Sequence, residues 1–190
     1  MKVSVKSIQG VWDDGLVLDK HTVSSTYLGD DENGRPQFDT VRTDIGEAMF
    51  QLKYRNDWSK VDPLADLIVQ HGVPEVRPVN VVVPMPASHA RTRQPVTEIA
   101  RRVARLLGLP CDEALLSKTA TPQLKNLNTL AEKEAVLADA FSTRKQSVGP
   151  LDVLLIDDLF HTGASMTAAC TALRSHPAVR RIGVVALTWR

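Results

Sequence analysis

One stretch of the chain combines residue types that can hold a charged ligand: Leu154-Leu155-Ile156-Asp157-Asp158-Leu159-Phe160-His161-Thr162-Gly163-Ala164-Ser165. An apolar run leads into two adjacent carboxylates, and these into a short turn with two hydroxyls and a glycine. At the start of a helix the main-chain N–H groups of Thr162 to Met166 are free. They converge with the Thr162 and Ser165 hydroxyls on an anion such as a phosphate, and Gly163 lets the backbone come close. Asp157 and Asp158 cannot face that phosphate without repulsion. They suit the hydroxyls of a sugar attached to it, or a hydrated Mg²⁺ carried by the same ligand. The chain has neither GxGxxG nor GxxxxGK[ST], the signatures of dinucleotide and P-loop sites.

Such a turn works only if a strand delivers it and a helix leaves from it. Val153-Leu154-Leu155-Ile156 reads as a buried strand, the next helix carries Met166, Ala169, Cys170 and Leu173 on one face and ends before Pro177, and Ile182 to Leu187 is a last strand. Upstream, Val79 to Val83 is a short β-branched run. Val96, Ile99, Val103, Leu106 and Leu107 form a helical stripe closed by Gly108, and Leu115-Leu116 is a short strand. Helices are expected over 44–56, where Ile45, Ala48, Met49 and Leu52 share a face, and from Asp62-Pro63 to a stop at Gly72. Strands alternating with helices imply an α/β fold with right-handed crossovers, a parallel sheet covered by helices, and a ligand crevice at the strands' C-terminal ends. Residues 1–41 have another texture, with turns expected at Asp14-Gly15 and Glu32 to Pro36. They are expected to form a small N-terminal β-rich lobe, with the main domain over 42–190.

The stretch from Leu154 to Ser165 resembles the signature of the type I phosphoribosyltransferases, in which an apolar strand, an acidic pair and a Thr-Gly-x-Ser/Thr loop hold the ribose and 5′-phosphate of phosphoribosyl pyrophosphate (PRPP). Within that superfamily the chain is most similar to the ComF-type branch, over roughly Arg42 to the C-terminus: the helix Ile45 to Arg55, the run Val81-Val82-Val83-Pro84-Met85-Pro86, the segment Leu106-Leu107-Gly108-Leu109-Pro110, and Thr121-Pro122-Gln123. It lacks the N-terminal cysteine-rich zinc segment of many such proteins, having no cysteine before Cys111. It also departs at His161, usually a small hydroxyl or aliphatic residue, and at Arg93-Gln94-Pro95, where Gly-Phe-Asn-Gln is common.

The resemblance implies a Mg²⁺-dependent transferase that moves the phosphoribosyl group of PRPP to a nitrogen acceptor, a base or an amine, and releases pyrophosphate. Asp157, Asp158, His161, Thr162, Gly163, Ala164 and Ser165 would hold ribose 5-phosphate. Met85, Pro86, Ala87 and Ser88, with Arg91 and Arg93, would hold the pyrophosphate. Lys118, Thr121, Gln123 and Lys125 would belong to a flexible loop closing over it, Lys118 acting with the acidic pair in catalysis. No side chain is expected to ligate the metal directly; Mg²⁺ would be held mainly by PRPP and water near Asp157 and Asp158. Residues 1–41 would act as a hood that helps select the acceptor. The alternative is a PRPP- or nucleotide-binding regulator, or a ComF-like protein of DNA uptake, that does not turn its ligand over.

Composition bounds these readings. The chain has 190 residues, 43% of them hydrophobic, enough for a core that buries about two-thirds of the unfolded surface. No apolar run reaches the length of about 18 residues that a membrane span needs, and Met1 to Gly10 lacks the apolar region of a secretory signal, so a cytoplasmic location is expected. Two cysteines cannot build a disulfide framework. The net charge of +1 averages −5 over residues 1–75 and +6 over 76–190, a distribution compatible with an anion site in the second part. Nucleic acid stays open on this basis, though no aromatic-interleaved basic stripe is visible, and a homodimer stays open too.

Overall fold

The computed structural model describes residues 1–89, 91–119, 140–145 and 149–190. A five-stranded sheet runs through its centre in the order β1-β2-β9-β8-β5. Its strands are β1 (Lys6–Ser7), β2 (Asp14–Lys20), β5 (Val81–Pro84), β8 (Leu151–Phe160) and β9 (Val179–Trp189). The β2/β9, β9/β8 and β8/β5 pairs are parallel, and only β1 runs antiparallel, at one edge. Two short antiparallel ribbons stand outside it: β3 (Thr22–Asp30) with β4 (Pro36–Arg42), and β6 (Leu116–Lys118) with β7 (Phe141–Thr143).

Helices cover both faces, which makes the fold α/β as expected. Along β8, Leu154 and Ile156 point into one core with Ile45, Met49, Leu64, Ile99 and Val103; Val153 and Leu155 point into the other with Leu115, Phe141, Met166, Cys170 and Leu173. This is the period-two alternation of a strand buried on both sides. The first layer holds α1 (Asp44–Tyr54), α2 (Val61–Leu67), the short α3 (Val73–Val76) and α4 (Pro95–Leu107); α5 (Ala164–Arg174) lies in the second. Caps fix the helix ends. The Thr43 hydroxyl accepts from Gly46 N–H at 3.0 Å to start α1, and Pro95 opens α4, which closes on Gly108 at φ 66°. Among the described residues no helix is long and apolar enough to cross a membrane.

Several expectations need correction. Asp14 and Gly15 do not turn the chain; they begin β2, because Leu16, Val17 and Leu18 are buried and pair in parallel with β9. The expected N-terminal lobe is therefore divided: β1 and β2 belong to the central sheet, and the β3–β4 hairpin, turning through Asp31 to Arg35, stands apart. Gly72 does not stop a helix. The helical path passes through a π turn at Ile68–Gly72 and ends at Val76, and a Cβ on Gly72 would sit 2.9 Å from a Val185 methyl. Glycine there lets the helix lie close against the sheet. Finally, β8 does not stop at Ile156 but carries Asp157 and Asp158 within its ladder.

Candidate functional site

At the C-terminal ends of β5 and β8 a cavity of about 290 Å³ opens between α1, α4 and the β6–β7 ribbon. Its walls include the segment Met85 to Ser88, the pair Asp157 and Asp158, and Ser165, Lys53, Arg91 and Lys118. Crevices of this kind form because parallel strands end together while the chain departs to opposite faces.

The acidic pair is held asymmetrically. Asp157 Oδ1 accepts the Asp158 main-chain N–H at 2.8 Å. Burial and the neighbouring Asp158 carboxylate push Asp157 up to about 8, against the pull of Lys53 and Lys118. Asp158, by contrast, forms an ion pair with Lys53 Nζ, the carboxylate being 14% exposed and the lysine 27%. Two adjacent acids thus have different surroundings: Asp157 is pushed toward its protonated form, while Asp158 is paired with a cation. Behind them the Thr188 hydroxyl donates to the Asp158 carbonyl at 2.8 Å, and His21 Nδ1 lies 3.1 Å from the same hydroxyl. Burial and the cations Arg190, Lys53 and Arg42 hold His21 below its usual range.

Next to this cavity, sharing Asp157, Leu159 and Ser165 with it, a smaller hollow of about 80 Å³ is formed by Phe160, His161, Thr162, Gly163, Ala164 and Met166. Gly163 adopts φ 79° at the N-cap of α5, and a Cβ there would meet the Phe160 ring at 3.0 Å. Only glycine takes this backbone without strain. The hollow thus lies at the N-terminus of α5 beside the acidic pair, where Ala164 N–H donates to Thr162 Oγ1 at 3.4 Å. His161 and Thr162 are exposed at its rim.

On the β5 side, Met85 N–H donates to the Ile156 carbonyl at 2.8 Å, which docks the Met85–Ser88 segment against β8. Lys118, at the end of β6, donates from Nζ to Ser88 Oγ at 3.0 Å. Desolvation lowers the lysine's pKa while Asp157 opposes the shift. Arg91 lines the same cavity and donates to the Lys53 carbonyl at 2.8 Å. Arg93, expected beside a pyrophosphate, is turned away from the cavity. Its guanidinium bonds Glu98 at 3.0 Å and lies 4.0 Å from the Trp58 ring centre, a carboxylate and an aromatic face that satisfy it at the start of α4. Thr121, Gln123 and Lys125 lie outside the described residues.

The structure thus gathers Asp157, Asp158, Met85 to Ser88, Arg91, Lys118 and the His161–Ser165 turn at one end of the sheet. Sequence reasoning missed Lys53. The signal was present: Lys53 continues the row Ile45, Met49 at i, i+4, i+8, so the face of α1 that packs on the sheet ends in an ammonium beside the strand ends. It also missed a cavity of about 460 Å³ lined by Lys20, Thr22, Ser25, Thr40, Trp189 and Arg190, where β2, β9 and the hairpin meet. Trp189 pairs with Phe160 in the ladder, which places this cavity one strand away from the loop before α5.

No family model and no curated protein sequence matches the chain. Among solved structures, adenine phosphoribosyl transferase from Trypanosoma brucei, in complex with AMP, pyrophosphate and ribose-5-phosphate, is similar with a TM-score of 0.50 and 14% identity, over 98% of this chain and 76% of that one. Adenine phosphoribosyltransferase from Leishmania tarentolae aligns at 12% identity and a TM-score of 0.49, over 98% and 95% of the two chains. The UMP synthase of Leishmania donovani aligns at 15% identity and a TM-score of 0.42, over 84% of this chain and 27% of that longer one. At such identity it is the fold that is shared, and the chain has the fold of the type I phosphoribosyltransferases.

Proposed function

We propose that this chain, built on the type I phosphoribosyltransferase fold, is a PRPP-dependent transferase that moves a phosphoribosyl group to a nitrogen acceptor and releases pyrophosphate. The observation that carries the reading is the convergence on one crevice of an acidic pair, a left-handed glycine turn opening α5, and the Ser88–Lys118 contact. Each matches one portion of PRPP. The N–H groups and hydroxyls of Thr162 to Ser165 take the 5′-phosphate; Asp157 and Asp158 take the ribose hydroxyls; Met85 to Ser88, Arg91 and Lys118 take the pyrophosphate.

In the reaction the bond between ribose C1 and the pyrophosphate oxygen breaks with its electron pair leaving on the pyrophosphate, and the acceptor nitrogen's lone pair forms the new C1–N bond. Positive charge develops on the sugar between these events, beside the Asp158 carboxylate. Lys118 and Arg91 balance the negative charge gathering on the leaving group. No covalent nucleophile is needed, so positioning and electrostatics supply the rate. Mg²⁺, when bound on the pyrophosphate, would neutralise part of that charge. Among the described residues no three His, Cys, Asp or Glu side chains converge, and two carboxylates beside lysines suit an ion brought in by the ligand and its waters better than a protein cage.

The acceptor would lie on the β9–β2 side, in the cavity lined by Lys20, Thr22, Ser25, Thr40, Trp189 and Arg190. This is where the hairpin of the expected hood meets the strand ends. The test is release of pyrophosphate from PRPP with Mg²⁺ across a panel of bases and amines. Turnover with at least one nitrogen acceptor, abolished in Asp157→Asn/Asp158→Asn, is expected. Turnover that survives the double substitution overturns the assignment.

A further inference from the structure

Lys53 occupies a place that fold stability alone does not explain. Helix α1 is already anchored by Ile45, Met49 and Leu52, all essentially inaccessible to solvent. A half-buried ion pair adds little to such an anchor, because removing both charges from water offsets most of their attraction. Yet the Lys53 ammonium pairs with Asp158 inside the crevice, and the carbonyl of the same residue receives the Arg91 guanidinium at 2.8 Å. One residue at the last turn of α1 therefore touches both halves of the site: by its side chain the carboxylates at the end of β8, by its main chain the segment after β5.

We propose that Lys53 is a positioning residue of the phosphoribosyl site: its ammonium holds the Asp158 carboxylate in one orientation for the ribose hydroxyls, while its carbonyl fixes Arg91 beside the pyrophosphate. The inference rests on the phosphoribosyltransferase reading and goes beyond it by naming a residue on α1. The charges around the carboxylate make the assignment specific. Asp157 lies on the same strand, Lys118 comes from β6 toward Asp157, and His21 on the β2 side is held below its usual range, so the ammonium in contact with Asp158 is that of Lys53. Without it the Asp158 carboxylate would be free to turn toward water, and a carboxylate that rotates no longer presents two fixed acceptors to a diol. Arg91 would be unaffected, since its partner is main chain.

Calorimetric titration of the whole chain with PRPP and Mg²⁺, and separately with inorganic pyrophosphate and Mg²⁺, tests this on wild type, Lys53→Met, Lys53→Arg, Asp158→Asn and Lys53→Met/Asp158→Asn. The expected result is PRPP affinity about tenfold lower in Lys53→Met, the size of one lost charge-assisted contact. Pyrophosphate affinity should be unchanged, Lys53→Arg should recover most of the loss, and Lys53→Met should cost nothing further once Asp158 is already asparagine. Pyrophosphate affinity falling as far as PRPP affinity would make Lys53 a direct phosphate ligand and overturn the positioning role. So would PRPP affinity in Lys53→Met equal to wild type, which leaves the transferase reading standing. Wild type that binds no PRPP removes that reading and this inference together. Melting midpoints accompany every variant, and if Lys53→Met does not fold, Lys53→Gln carries the same comparison.

Discussion

Lys118 donates from Nζ to Ser88 Oγ at 3.0 Å across 30 positions of sequence, joining the end of the β6–β7 ribbon to the segment that leaves β5. A half-buried lysine is costly to desolvate, and its lowered pKa reflects this.

If Lys118 serves the leaving group, Lys118→Met should lower kcat by about 10²- to 10³-fold, in line with loss of one preorganised electrostatic contact. Lys118→Arg should keep part of the rate. Initial rates of pyrophosphate release check this, and a Lys118→Met enzyme at wild-type kcat removes the role.

The acidic pair should show unequal substitutions. Asp158 is oriented by its ion pair with Lys53, so if the acidic pair holds the sugar hydroxyls, Asp158→Asn should raise KM for PRPP more than Asp157→Asn does. Steady-state kinetics at pH 7 decide between this order and its reverse.

Titration of Asp157 gives a pH-dependent stability. Its pKa stands near 8 in the folded protein against an ordinary 3.8, so between those values the folded chain keeps a proton that the unfolded chain has lost, and stability falls as pH rises through this window. Asp157→Asn removes that slope. The variant's gain in melting midpoint over wild type should be larger at pH 8 than at pH 5; equal gains would show that Asp157 is not held protonated.

Gly163 at φ 79° should tolerate no side chain. Gly163→Ala places a Cβ against the Phe160 ring in a backbone region that costs an L-residue about 1–2 kcal/mol. Thermal melting should register that loss, and affinity for ribose 5-phosphate, measured by calorimetry, should fall with it. Unchanged affinity would mean the turn does not hold the phosphate.

Much of the candidate site was legible because its parts are local. A β-branched and aliphatic run, two acids, a glycine between hydroxyls and a helical stripe all lie between Val153 and Leu173, and each constrains its own backbone without help from elsewhere. Asp14-Gly15 and Gly72 were misread for the complementary reason. Both are turn signals in isolation, but burial of Leu16 to Leu18 against β9 and close packing of Gly72 on Val185 outweigh a local preference worth about 1 kcal/mol.

What the amino-acid sequence determined alone is the alternation of buried strands with amphipathic helices, and with it the α/β class and the loop that begins α5. Spacing along α1 put Lys53 on the face that packs on the sheet, but the tertiary structure decided which group each cation meets. Lys53 reaches Asp158 and Lys118 reaches Ser88, while Arg93, nearer in sequence to the cavity wall, is spent on Glu98 and Trp58. Hydrophobic periodicity is written along the chain because each element must bury its own face. The partner of a long charged side chain is set by where several elements end together, and no spacing within one element encodes it.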